Sequence, residues 1–157
     1  MKNSSPVTFL DRVLSFLVII SFLLMIGVVV LQILARYALP WSPEWTEEMA
    51  RFCFIYLVSL GAGLAIKERL YVSVDFLLDK LTPTTRKGLE IGILALIVVF
   101  MLTMAIVSLP LVQIVSLQRS PAMQLNMSWM YAAMTLMGFF VGLYGSFQLV
   151  ERIKQRP

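Results

Sequence analysis

The chain has 157 residues, of which 59% are apolar and only 14% are charged, and its formal net charge is +4. Soluble domains are about 45–50% apolar and about 25% charged, so this composition indicates an integral membrane protein in contact with the lipid bilayer. The sequence has no histidine, which excludes histidine-ligated haem, zinc–imidazole and histidine proton-relay chemistry. Its single cysteine, Cys53, excludes a disulfide relay or cysteine cluster within one chain. We expect no metal, no cofactor and no nucleic-acid partner.

Long runs without Asp, Glu, Lys or Arg occupy 13–35, 52–66, 91–118 and 120–150. A helix that crosses the hydrocarbon core needs about 20 residues, a length that the second run reaches only with its flanks. A cleaved signal peptide is the alternative for the first run, but the apolar part of such a peptide is only about 7–15 residues long. The pattern predicts an all-α integral membrane protein, one four-helix domain over 1–157, with spans of about 13–35, 46–67, 90–116 and 128–150.

An acidic and aromatic segment links the first two spans. It opens with Arg36 and Tyr37, which suit an interfacial anchor. Ser42 and Pro43 then resemble a helix N-cap followed by proline. Acidic side chains in the opening turns, Glu44, Glu47 and Glu48, complement the helix dipole, and Glu47 has the i, i+4 spacing for a pair with Arg51.

Two interpretations of this segment remain open. The charged side chains either solvate a helix start, or they form a patch for a partner protein, flanked by Trp41 and Trp45. We favour the patch, because three carboxylates beside an interfacial arginine exceed what capping needs. Further along the second span, small residues spaced by four predict close helix packing in lipid, at Ser59/Gly63 and Gly61/Ala65.

The link between the second and third spans contains apolar residues that share one helical face: Leu70, Val74, Leu77, Leu78 and Leu81. This pattern predicts a short interfacial amphipathic helix at about 70–81, although the alternation over 71–76 also allows an extended first half.

Lysine and arginine are distributed unevenly about the four spans. Ten lie in the N-terminus, the 67–90 link and the C-terminus, and three lie in the other two links. The positive-inside rule then predicts a multi-pass protein with both termini in the cytoplasm and the 36–51 and 117–128 links outside.

The predicted spans lack membrane-embedded charge, which is unusual for a transporter that works alone. An autonomous four-span exporter is one alternative, yet exporters of this size rely on a glutamate in the first span, where this chain has only Gln32. A structural membrane protein is the other alternative. No nucleophile set, phosphate loop or metal cluster indicates an enzyme. We therefore expect an accessory subunit whose partner holds the transport machinery.

Several short motifs, in this order and spacing, resemble the small membrane subunit of tripartite ATP-independent periplasmic (TRAP) transporters. They are Gln32-Ile33-Leu34-Ala35-Arg36-Tyr37, Trp45-Thr46-Glu47-Glu48 with Arg51, Leu60-Gly61-Ala62, Val74-Asp75, and Ser120-Pro121-Ala122 before Trp129. The chain departs from the family at Tyr71, where members often carry histidine.

The resemblance implies a place in a bacterial inner-membrane complex. In that family a periplasmic substrate-binding protein captures an organic acid, such as a C4-dicarboxylate or a sialic acid. A large membrane subunit then moves the acid together with sodium. The small subunit widens the static scaffold beside the large one. The segment from Arg36 to Arg51 and Asp75 are the candidate partner contacts.

Overall fold

The structure, a computed structural model, describes residues 5–38, 43–68 and 83–154. Within these ranges lie four helices, α1 (Ser5–Ala38), α2 (Trp45–Lys67), α3 (Pro83–Ile114) and α4 (Ser128–Lys154), and a 3-10 turn, Val115–Leu117, that follows α3. Each helix is long and apolar enough to cross a membrane. Helices suit these runs because hydrocarbon offers the backbone no hydrogen-bond partner, so the segment must satisfy its own amide groups. The predicted all-α membrane fold is confirmed, while the predicted interfacial helix at 70–81 lies outside the described residues.

The helices pack in the spatial order α1, α2, α4, α3, since the main contacts join α1 with α2, α2 with α4, and α4 with α3. The terminal end of the bundle is the end where α1 and α3 begin and α2 and α4 finish, and the loop end is the opposite one. Toward the loop end, the Tyr56 hydroxyl donates a hydrogen bond to the Trp129 carbonyl. Toward the terminal end, the Gln148 side-chain amide donates one to the Ile66 carbonyl. Helices α2 and α4 are therefore parallel, and the other neighbours are antiparallel.

A row of glycines on α4 allows α3 to approach closely. A Cβ added at Gly138 would lie 2.6 Å from the Met101 carbonyl oxygen, and one added at Gly142 would lie 2.5 Å from a Leu102 methyl carbon. Gly145 lies on the same helical face, and a Val98 methyl group occupies the space that its Cβ would need. These glycines spaced by four and three residues are the signal that our sequence analysis missed, since it considered small residues only on the second span.

The small residues predicted to pack on α2 behave differently from one another. Ser59 and Gly63 are buried, and a Cβ added at Gly63 would lie 2.8 Å from the Cβ of Phe140 on α4. A Cβ at Gly61, by contrast, would meet no described atom within 4 Å, and Ala65 is only half-buried. Gly63 therefore shapes the α2–α4 interface, whereas Gly61 has no packing partner among the described residues.

The interior is small, and the outer helices are largely uncovered. Buried side chains at its centre are Leu14, Leu60, Ile66, Val141 and Tyr144. Large apolar side chains on α1 and α3, such as Phe16 and Leu96, are more than half exposed. In a membrane protein such faces meet lipid tails or other membrane helices.

Candidate functional site

The loop end brings together much of the acidic and aromatic segment that the sequence singles out. An Arg51 guanidinium nitrogen lies 3.1 Å from Glu47 Oε1, so the predicted i, i+4 pair is formed. The side chains of Glu47 and Arg51 are 70% and 58% exposed, and Glu44 and Trp45 are exposed beside them. An exposed pair of this kind stabilises a helix by only about 0.3–0.5 kcal/mol, so the pair does not account for the fold.

The start of α2 is fixed by a local turn. Thr46 is fully buried, its hydroxyl donates to the Pro43 carbonyl at 2.7 Å, and its N–H donates to the same oxygen at 3.2 Å. Glu44 occupies the N-cap position without a side-chain capping bond. The predicted Ser42 cap, Trp41 and Asp75 lie outside the described residues.

Glu48 turns away from this exposed group and binds a distant loop. Its two carboxylate oxygens accept hydrogen bonds from the backbone N–H groups of Ala122 and Met123, each at 2.9 Å. Bonds of an ionised carboxylate to N–H groups are among the stronger hydrogen bonds in proteins. The predicted patch is thus divided: Glu44, Glu47 and Arg51 stay on the surface, and Glu48 joins α2 to the α3–α4 connection.

The 118–127 loop, which runs from Gln118 to Met127, is closed by its own hydrogen bonds. The Ser120 N–H donates to the Leu125 carbonyl at 2.8 Å, and the Leu125 N–H donates to the Ser120 hydroxyl at 3.2 Å. One step outward, the Met127 N–H donates to the Gln118 carbonyl at 3.0 Å. Gln124 at the turn has a φ of 53°, the left-handed region that few non-glycine residues adopt.

Side chains also fasten this loop to the adjoining helices. Asn126 donates to the Ser116 carbonyl and accepts from the Ser128 N–H, both at 2.9 Å, so it caps the start of α4. The Ser128 hydroxyl donates to the Val112 carbonyl at 2.8 Å. The loop therefore forms one fixed unit with the ends of α3 and α4.

Arg36 and Tyr37 are the last predicted candidates at this end. Both are exposed where α1 finishes, whereas Ala35, one residue earlier, is buried. Their side chains are thus available at the surface, and their role as an interfacial anchor stays a prediction.

The terminal end holds a polar network that the sequence analysis did not identify. Asp11 on α1 pairs with Lys67 on α2 and accepts a hydrogen bond from the Tyr144 hydroxyl on α4 at 2.7 Å. The Gln148 side-chain amide donates to the Lys67 carbonyl at 2.8 Å, which satisfies a carbonyl at the end of α2. No local signal marks these pairs, because their members are far apart in the sequence.

A second network at the same end joins α3 to α4. Glu90 on α3 forms an ion pair with Arg152 on α4 at 2.7 Å and accepts a hydrogen bond from Arg86 at 3.2 Å. Elsewhere, Cys53 is buried in α2. Among the residues that the structure describes, no three His, Cys, Asp or Glu side chains lie together as a metal site would require.

The fold and these two ends define a multi-pass membrane protein in which α2 and α4 join the outer helices. Comparison with known proteins gives the family. Residues 25–155 match the family model described as "Tripartite ATP-independent periplasmic transporters, DctQ component", and the chain belongs to that family. It is therefore a membrane subunit of a transporter, as the sequence resemblance indicated.

Individual relatives agree with the family. The chain is 26% identical over 147 residues to a putative TRAP transporter small permease protein of Haemophilus influenzae, covering 94% of this chain and 89% of the relative. It is 33% identical over 69 residues to the sialic acid TRAP transporter small permease protein SiaQ of Vibrio cholerae, covering 44% and 40% of the two chains.

A third relative is a much longer protein. The isethionate TRAP transporter permease protein DctMQ of Oleidesulfovibrio alaskensis is 40% identical over 65 residues, which are 38% of this chain and 10% of that one. A stretch similar to this chain thus occurs within a larger permease chain.

Proposed function

We propose that this chain is the small permease subunit of a TRAP-type secondary transporter, a static scaffold partner of a large membrane subunit. The complex takes up an organic acid with sodium, and a periplasmic binding protein delivers the acid. The observation that carries the proposal is the position of the charged residues: Asp11, Lys67, Glu90 and Arg152 pair at the terminal end, and the runs between the helix ends are uncharged.

That distribution suits a scaffold better than a pump. A transporter that works alone usually has ionisable side chains or broken helices near the middle of the membrane, where ions and substrate bind. Here the polar side chains within the α3–α4 interface, Ser108 and Thr135, bond each other at 2.8 Å. These hydroxyl groups therefore hold the two helices together.

Two of the three main helix interfaces combine close packing with a polar contact, and the third, between α1 and α2, has a polar contact. These contacts favour motion of the bundle as one body. The α3–α4 interface combines Gly138 with the Glu90–Arg152 pair. The α2–α4 interface combines Gly63 with the Gln148 amide, and α1 joins α2 through Asp11. A close-packed interior resists small deformations, which suits a static surface against which another domain slides.

The long relatives support a multi-span permease as the partner. In the isethionate permease the stretch similar to this chain makes up only 10% of the protein, so the rest of a permease accompanies it in one chain. The exposed apolar faces of α1 and α3 give such a partner membrane-embedded surface to cover.

The proposal includes an orientation and a location. We assign the chain to a bacterial inner membrane with both termini cytoplasmic, from the distribution of lysine and arginine. The loop end then faces the periplasm. The partner-contact candidates there are the exposed side chains of Arg36, Tyr37, Glu44, Trp45, Glu47 and Arg51, with Trp41 as a further candidate from the sequence.

Affinity purification of the tagged chain from its native membranes tests the function. The proposal expects a large multi-span permease to copurify in a fixed ratio, while a tagged unrelated four-span protein from the same membranes brings down none. Recovery of the chain by itself, or with a partner that is no permease, would favour the autonomous exporter or the structural protein instead.

A further inference from the structure

The Glu48 carboxylate holds the middle of the 118–127 loop from a different helix. We propose that Glu48 is a positioning residue that keeps this loop in the shape that a soluble protein recognises at the loop end. The inference rests on the proposed function, under which that partner is the substrate-loaded periplasmic binding protein. Both carboxylate oxygens are used, one for the N–H of Ala122 and one for the N–H of Met123.

The loop can present a fixed surface because so few of its groups are free to rearrange. Ser120 is only 2% exposed and bonds Leu125 through both its N–H and its hydroxyl. Gln124 keeps a left-handed backbone, a conformation that persists in a non-glycine residue only where its surroundings enforce it. Strained and well-fastened loops of this kind are common at recognition sites.

Glu48 supplies a restraint that the loop cannot supply itself. The loop's internal bonds and Asn126 secure its two ends, while Ala122 and Met123 lie between them. Without the carboxylate, these two partly buried N–H groups lose their only bond partner shown in the structure. The middle of the loop would then sample other conformations, and a partner would have to order it on binding, which lowers affinity.

The exposed side of the loop suits a soluble protein. The loop connects the 3-10 turn, which ends at Leu117, to the start of α4 at Ser128, so it belongs to the loop end of the bundle. Pro121, Gln124 and Leu125 are exposed on it. Arg119, the loop's one charged residue, is also exposed and reaches the Gln124 carbonyl. Arginine is among the residue types that are enriched at protein–protein contacts.

Uptake by the reconstituted complex, measured against the concentration of loaded binding protein, tests this role. Glu48→Gln keeps the size of the side chain but places an NH₂ group against one of the two N–H donors. We expect the half-saturating concentration of binding protein to rise about tenfold, with the maximal rate and the copurifying large subunit unchanged. The matched control is Glu68→Gln at the other end of α2, where the side chain is exposed at the terminal end of the bundle.

A second variant addresses the loop surface while leaving the carboxylate in place. Leu125→Asp changes an exposed side chain and keeps the backbone bonds of Leu125 to Ser120, and it should also raise the half-saturating concentration. If both variants have the same half-saturating concentration of binding protein as the parent, the inference is wrong. It is also wrong if the large subunit no longer copurifies with the Glu48→Gln variant. Failure of the parent chain to form a transporting complex would instead overturn the proposed function.

Discussion

Asp11 and Tyr144, which are 133 positions apart in the sequence, meet at the terminal end, where the tyrosine hydroxyl donates to the carboxylate at 2.7 Å. Asp11 also pairs with Lys67, so one carboxylate connects α1, α2 and α4. α1 otherwise packs mainly on α2. This carboxylate is therefore a polar restraint on α1, one of the two outer helices.

Tyr144→Phe removes the hydroxyl from this site and leaves the ring in place. The loss of a hydrogen bond to a charged group should lower the free energy of unfolding by about 1.5–3 kcal/mol. Reversible unfolding of the purified chain in detergent measures the change. Tyr37→Phe is the control, because Tyr37 is 86% exposed and should not affect stability. Equal stability of the two variants would show that the Asp11–Tyr144 bond contributes nothing.

Gly138→Ala tests the close approach of α3 and α4. The added methyl group would lie 2.6 Å from the Met101 carbonyl oxygen, so the helices must separate, at a cost of about 1–3 kcal/mol. Gly92→Ala on α3 adds the same methyl group where no described atom lies within 4 Å. The control should be neutral or slightly stabilised by the higher helix propensity of alanine. A Gly138→Ala variant as stable as the parent in detergent unfolding would contradict the packing.

The sequence predicted the helices well because lipid imposes simple rules on composition. Uncharged runs located the four spans, and the short run at 52–66 extends through charged flanks to Trp45–Lys67, as its length required. Other helices extend past their predicted limits. α4 continues to Lys154, and α1 begins at Ser5, so that Asp11 lies inside it.

The contacts between helices could not be predicted in the same way. The sequence alone assigns Glu48 to a surface patch, because its proximity to Glu47 carries no information about Ala122 or Met123. Pairing over such distances depends on the spatial order of the helices, which hydropathy leaves undetermined. The Glu47–Arg51 pair was predictable because helical geometry alone brings residues four apart together.

Arg51→Glu tests whether the exposed group at the start of α2 is a partner surface. The exposed pair contributes little to folding, so expression should persist while uptake or recovery of the large subunit falls several-fold. Adding Glu47→Arg in the same chain restores an i, i+4 pair and should restore part of the activity. If the single variants Arg51→Glu and Glu47→Arg both assemble and transport like the parent, the exposed group is only a solvated helix start.

Thiol labelling of intact spheroplasts tests the proposed orientation. In a Cys53→Ser background, single cysteines are introduced as Gln118→Cys at the loop end and Lys154→Cys at the terminal end, both exposed positions. A membrane-impermeant reagent should label position 118 in intact spheroplasts and position 154 only after lysis. The reverse pattern would place the loop end in the cytoplasm.

Sodium-driven uptake into proteoliposomes most directly tests whether this chain is a subunit that depends on a partner for transport. The purified chain alone, under an inward sodium gradient and with loaded binding protein present, should give background accumulation of any carboxylate, because its helix interiors carry no charged residue to couple ions. Co-reconstitution with the copurified large subunit should produce uptake that disappears when sodium is equal on both sides. Sodium-dependent accumulation by the chain alone would contradict the scaffold assignment.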